Sequence, residues 1–201
     1  MLKRLTAVWL AAFALGAFAG TARGESEIAL LDRSAAEASD APSLTALRAA
    51  VASEARHLGI EMRDTIARAV ARASEEQGIP AFLLVALIAQ ESGFNPSAEN
   101  AGALGLMQLR PFVAKDYAAR RGLSWSGEAT LRDPARNVQL ASGYLGELVT
   151  RFESLDLALA AYNKGPEAVK RDLRDDRLPR QDFVEDVMRR YERYQSRFGG
   201  I

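Results

Sequence analysis

The chain has 201 residues, 48% of them hydrophobic and 26% charged, the composition of a globular protein large enough for one cored domain. Lys plus Arg equals Asp plus Glu at 26 each, which leaves no basic footprint for nucleic acid and no polybasic block for a membrane surface. Cysteine is absent and His57 is the sole histidine. That argues against a zinc site and against a Ser or Cys nucleophile with a histidine base, leaving carboxylates for acid–base work.

The chain opens on Met1-Leu2-Lys3-Arg4, a short cationic start, followed by the apolar run Leu5 to Ala19. Ala17-Phe18-Ala19 and Gly20-Thr21-Ala22 offer small residues for cleavage, so residues 1–22 are expected to be a signal peptide. A retained N-terminal anchor is the competing reading, although the run is short for a span. No cysteine follows it to carry a lipid. Cleavage after Ala22 removes Lys3 and Arg4 and leaves 24 basic against 26 acidic residues, a net charge of −2. The expected product is exported, in the periplasm or beyond, with no membrane segment left.

Residues 23–42 are small, polar and Ala-rich and are expected to form a tether. Leu44, Leu47, Val51 and Ala55 predict an amphipathic helix from Ser43 to about His57. The expected organisation is a linker and N-terminal helix over residues 23–60, then one domain over 61–201. That domain opens with a helix over Glu61–Glu76 that Gln77-Gly78 ends. Pro80 opens the next, where its missing N–H is tolerated. Ala81 to Ala89 is apolar on every side, the mark of a helix buried inside a domain. It runs into Gln90-Glu91-Ser92 and is stopped by Gly93 and Asn95-Pro96. Residues 97–110 are Gly- and Ala-rich and read as a loop running into a short helix. Further helices are predicted at Pro111–Arg121, Pro134–Phe152, Leu155–Tyr162, Pro166–Asp172 and Gln181–Phe198, with Asp133 capping the second of these. The mixed charges from Arg171 to Arg177 read as a solvated turn. With no alternating strand pattern and no internal repeat, the fold class is mostly α.

Glu91 stands out chemically. Nine consecutive apolar residues precede it, so its helix end lies against a core, and in the last turn unpaired carbonyls carry partial negative charge. Both oppose ionisation and raise the pKa. A carboxylic acid still protonated near neutral pH can donate to a glycosidic oxygen. The alternative at this stage is a helix-end glutamate that reaches solvent.

Three blocks then carry a resemblance. Glu91-Ser92-Gly93-Phe94-Asn95-Pro96 with Gly102-Ala103-Leu104-Gly105-Leu106-Met107-Gln108-Leu109-Arg110-Pro111 resembles the signature of the soluble lytic transglycosylases. Asp133-Pro134 with Asn137 and Gly143-Tyr144-Leu145 is similar to that family's middle segment, and Ala160-Ala161-Tyr162-Asn163-Lys164-Gly165-Pro166 to its AYNxGP motif. Order and separation agree over roughly residues 62–198. The resemblance implies a lysozyme-like α-helical domain that cleaves the peptidoglycan glycan strand between N-acetylmuramic acid and N-acetylglucosamine. It implies Glu91 as the catalytic acid and then base, closing a 1,6-anhydro ring with no metal or cofactor. By the same carry-over Met107 and Gln108 line the sugar groove, the Tyr162 hydroxyl bonds the catalytic carboxylate and Asn163 faces substrate. The plain alternatives are a core methionine, a loop-stabilising amide, a core tyrosine and a turn asparagine.

The chain departs from the pattern in places. The stretch from Pro96 to Gly102 is one residue short, which puts Glu99 or Asn100 where the family has a serine, and Asn100 is the expected substrate contact. Leu109-Arg110-Pro111 stands for LMP, and Phe183 occurs where a tyrosine is usual. Trp125 is read as core and His57 has no assigned role. Two other readings stay open. A hydrolytic muramidase on this fold needs a second carboxylate in inverting chemistry, with Glu99 or Asp116 the nearest candidates. A non-catalytic glycan-binding wall factor needs no acid at all. A dedicated role beside a secretion or conjugation machine is compatible with the size, its partner unknown.

Overall fold

The computed structural model describes residues 41–177 and 182–200, so the expected signal peptide and most of the tether lie outside the described residues. Helix α1 spans Leu44–Glu54, with the Ser43 hydroxyl accepting the Ala46 N–H at its start. Helix α2, Ile60–Gln77, ends on Gly78 in the left-handed conformation at φ 67°, the stop that Gln77-Gly78 predicts. Helix α3 is Ala81–Ser92; Pro80 stands just outside it, its carbonyl accepting from Leu83 and Leu84. Every residue from Ala81 to Ala89 is buried, so α3 runs through the interior of the domain.

Residues 97–110 depart from expectation. In place of a loop running into a short helix, they form a hairpin of two-residue strands, β1 (Glu99–Asn100) and β2 (Ala103–Leu104). Ala101 and Gly102 turn between them with φ 48° and 79°, the positive pair a tight hairpin turn requires. A bridge between Leu104 and Leu109 then folds the chain back.

Helix α4, Pro111–Arg121, follows with Pro111 in its first turn, and a single-turn helix that the pattern did not predict, α5, spans Ala129–Arg132. Helix α6, Pro134–Phe152, is capped by Asp133, whose carboxylate accepts the Arg136 N–H at 2.8 Å. Helix α7 spans Leu155–Lys164 and α8 Pro166–Arg174, each running two residues past its predicted end. The extension of α8 puts Arg171 to Arg174 in a helix instead of a turn, held by the 2.6 Å ion pair of Lys164 with Asp172. Helix α9, Asp182–Phe198, packs on α3, α7 and α1.

The core is one cluster to which all the longer helices contribute. Ala46, Leu47, Ala50 and Val51 place α1 inside it. Ion pairs of Glu54 with Arg190 and Arg193 tie α1 to α9 as well. Trp125 packs against the core as expected, and His57 is exposed. No helix among the described residues is long and apolar enough to cross a membrane.

Candidate active site

Glu91 lies in the last turn of α3, half-buried, two residues past the wholly apolar stretch. Burial raises its pKa from 4.5 to about 7. The helix stops two residues later because Gly93 takes φ 56° and its N–H returns to the Ala89 carbonyl. Phe94 also adopts a left-handed φ of 64°, and its ring is fully buried, which turns the chain toward the hairpin.

The loop after the hairpin is fastened to α3. The Ser92 hydroxyl donates to the Leu106 carbonyl at 2.7 Å. The Ala98 carbonyl accepts both the Gly105 N–H at 2.8 Å and the Gln108 side-chain amide at 3.1 Å. From α6, Asn137 reaches the same loop. Its Oδ1 accepts the Met107 N–H at 2.8 Å and its Nδ2 donates to the carbonyls of Leu104 and Leu131 at 2.9 Å each. Gly105 is obligatory beneath this contact, for a Cβ there would stand 2.2 Å from the Leu131 carbonyl oxygen and 2.3 Å from Asn137 Nδ2.

From α7, Tyr162 donates its hydroxyl to the Met107 carbonyl at 2.8 Å. Its pKa lies well above the ordinary tyrosine value, first because of burial and then because of the Glu91 and Tyr144 charges. Tyr144 of α6 stacks at a tilt on it, ring centroids 6.0 Å apart. Glu91, the Met107 peptide, Tyr162 and Tyr144 thus come together where α3, the loop, α7 and α6 meet.

The expected site residues differ in burial and in bonding. Met107 has its side chain fully buried in the core and offers the site only its backbone, so it lines no groove. Gln108 spends its amide N–H groups on the Ala98 and Gly105 carbonyls, which is loop stabilisation. The Tyr162 hydroxyl has the Met107 carbonyl as its acceptor, the kind of partner a largely buried hydroxyl needs. Asn163 is exposed at the end of α7, and Asn100 is exposed on the hairpin with its backbone in register with Ala103. Glu99 and Asp116, the candidate second carboxylates, are surface ion-pair partners of Arg132 and Arg120.

Two contributors escaped the sequence reading. Asn137 entered it only as a motif letter, yet it shares a buried stripe with Ala141 and Leu145, four and eight residues on, where an asparagine demands partners. Ser92 carried no comparable signal; its partner is 14 residues away in a loop. Among the described residues no cluster of three or more His, Asp or Glu could hold a metal ion.

Residues 68–182 match the family model of the transglycosylase SLT domain, more than half of the chain. The chain belongs to this family. Protein IpgF of Shigella flexneri is 32% identical over 127 residues, covering 61% of this chain and 78% of that protein. A Haemophilus influenzae protein named as a soluble lytic murein transglycosylase is 39% identical over 87 residues, 42% of this chain but 15% of its own length. Among solved structures, an inactive Glu-to-Gln variant of lytic transglycosylase Slt from Pseudomonas aeruginosa superposes with a TM-score of 0.51 at 29% identity, over 64% of this chain and 22% of that one. A 70-kDa soluble lytic transglycosylase in complex with bulgecin A gives a TM-score of 0.60 at 22% identity, over 89% and 35%. SLT-family membership and these neighbours make the fold a mostly α, lysozyme-like domain. Helix α3, the fastened loop and α7 all fall inside the matched residues.

Proposed function

We propose that this protein is an exported lytic transglycosylase acting on peptidoglycan glycan strands. The observation that carries the reading is Glu91, an acid held near pKa 7 by burial at the end of the central helix of an SLT-family domain. At neutral pH about half of such carboxyls hold their proton, whereas an unperturbed glutamic acid does so roughly once in several hundred molecules. In the proposed reaction Glu91 gives its proton to the β-1,4 oxygen between N-acetylmuramic acid and N-acetylglucosamine as that bond breaks, with the N-acetyl oxygen assisting at the anomeric carbon. The carboxylate so formed takes the proton from the same sugar's C6 hydroxyl as its oxygen bonds to C1. The products are a free N-acetylglucosamine 4-hydroxyl and a 1,6-anhydro-muramyl end, with no water consumed and Glu91 back in its acid form. Proton transfer by this one residue calls for no metal or cofactor. The inactive Glu-to-Gln variant of the Pseudomonas relative supports assigning the acid to a glutamate.

Asn163 and Asn100, both exposed polar side chains near the ends of α7 and β1, are the direct substrate contacts in this reading. Gln108 and Met107 act through the loop they hold. Residues 1–22 serve as a cleaved export signal, residues 23–60 as linker and first helix, and 61–201 as the catalytic domain. That Glu99 and Asp116 each have an ion-pair partner favours intramolecular capture by the C6 hydroxyl over water activated by a second carboxylate. The test is mass spectrometry of purified sacculi digested with the protein. Anhydro-muramyl ends are expected. Reducing ends alone make it a hydrolase, and binding without soluble product makes it a non-catalytic wall factor.

A further inference from the structure

Ser92, the chain neighbour of Glu91, holds the Leu106 carbonyl at 2.7 Å, and Arg110 follows Leu106 by only four residues. Four residues of chain span at most about 14 Å, and the paired backbones of Leu104 and Leu109 shorten that further. Arg110 is therefore tethered to the acid's end of α3, at the point where the loop enters α4. A cation stands here where the LMP pattern has methionine. Its backbone is extended, at φ −74° and ψ 136°, and Pro111 behind it removes freedom from the junction, which fixes where the side chain starts.

Two more exposed side chains share this end of α4. Phe112 is 68% exposed and is the only exposed aromatic ring among the described residues. A lone exposed ring needs no explanation. This one has Arg110 two residues before it and Lys115 one turn after it, on its own helix face. Arg110 and Lys115 are both exposed, and neither has a carboxylate partner among the described residues. Asp116 of the same helix is taken by Arg120 at 3.0 Å. A ring between two unpaired cations suits a ligand that carries carboxylates with apolar groups between them. In an intact glycan strand the lactyl carboxyl of N-acetylmuramic acid is consumed in its amide link to the stem peptide, so the strand's carboxylates belong to that peptide. We infer that Arg110, Phe112 and Lys115 form a specificity subsite for the stem peptide. Arg110 and Lys115 pair with its carboxylates, and Phe112 covers the apolar groups between them.

The inference rests on the transglycosylase reading for its substrate, but its test reads binding and not turnover. The probe is the disaccharide N-acetylglucosaminyl-N-acetylmuramic acid carrying a tetrapeptide, which lacks the bond the proposed reaction breaks and so is not consumed. It is compared with the same compound amidated at its peptide carboxyls, and with the peptide-free disaccharide, whose lactyl carboxylate is free. Affinities are read from the amide shifts of the 15N-labelled full chain. Wild type is expected to bind the carboxylate form about fivefold more tightly than the amidated form. Arg110→Met should erase most of that difference and Lys115→Gln part of it, while Phe112→Ala should weaken both forms alike by about threefold. Equal affinity of the wild type for the two forms overturns the inference with no variant needed. So does an Arg110→Met variant that keeps the difference, or one that loses as much affinity for the peptide-free disaccharide, which would assign Arg110 to the lactyl group. Carboxylate-dependent binding by a protein that leaves sacculi intact defeats the transglycosylase reading and leaves this inference standing. Anhydro-muramyl products from a protein whose binding ignores the peptide carboxylates do the reverse.

Discussion

The Tyr162 hydroxyl reaches across 55 residues of sequence to the Met107 carbonyl at 2.8 Å, and so ties α7 to the loop after the hairpin. Tyr162→Phe deletes the bond. With the Met107 carbonyl left without its donor, stability should fall by about 1–2 kcal/mol, read as the denaturation midpoint. Lysis of sacculi should drop at least several-fold per folded molecule. Unaltered lysis would confine Tyr162 to the core.

Glu91→Gln separates catalysis from stability. Loss of the general acid should lower lysis by about a hundredfold to ten-thousandfold. The same change should stabilise the fold, and the sign follows from linkage. The folded carboxyl titrates at about 7 against an ordinary value of 4.5, so between those pH values the folded state binds more protons than the unfolded. Wild-type stability therefore falls as pH rises through that window and levels off above it. The advantage of the glutamine variant should be absent below the window and complete above it. Its upper bound is about 3 kcal/mol, less whatever solvent reaches the half-buried group. Thermal melts at pH 4 and pH 8 check this; an equal gap at both pH values contradicts it.

Gly105→Ala should damage the fold and the site together. The added carbon has no room before the Leu131 backbone carbonyl and the Asn137 amide, and the glycine's φ of 78° is itself unfavourable for alanine. A loss of about 2 kcal/mol or more is expected, with lysis reduced beyond what the folded fraction explains. Gly102→Ala, at φ 79° but with open space around it, should cost only about 1 kcal/mol of backbone strain. Equal losses at the two positions would show that crowding at Asn137 is unimportant.

Glu99→Gln and Asp116→Asn each break an exposed ion pair, with Arg132 at 2.9 Å and Arg120 at 3.0 Å. Such pairs contribute about 0–1 kcal/mol, so both variants should melt close to wild type. Lysis should stay within about twofold in each, the scatter expected of surface changes. A hundredfold loss in either would name a second catalytic carboxylate and favour hydrolysis.

Much of the helical frame was legible because its punctuation is local. Pro111, Asp133-Pro134 and Gly78 each fix a boundary through their own backbone chemistry, and the structure places α4, α6 and the end of α2 where they say. The unbroken apolar run before Glu91 likewise foretold both the buried helix and the direction of the pKa shift. The loop at 97–110 was not legible. Its two-residue strands are too short for alternation to register, and it is shaped by Asn137 from 30 residues away. For the same reason motif letters name Met107 and Tyr162 without saying where the side chain of one and the hydroxyl of the other point, since partners far along the chain direct both.

The acid role requires a proton that stays on Glu91 near neutral pH. The most direct measurement is a 13C NMR titration of the Glu91 side-chain carboxyl in the wild-type protein from pH 3 to pH 9. A midpoint at about 7 is predicted. A midpoint near the ordinary value of 4.5 would mean that the group is solvated and ionised, and would contradict the acid role.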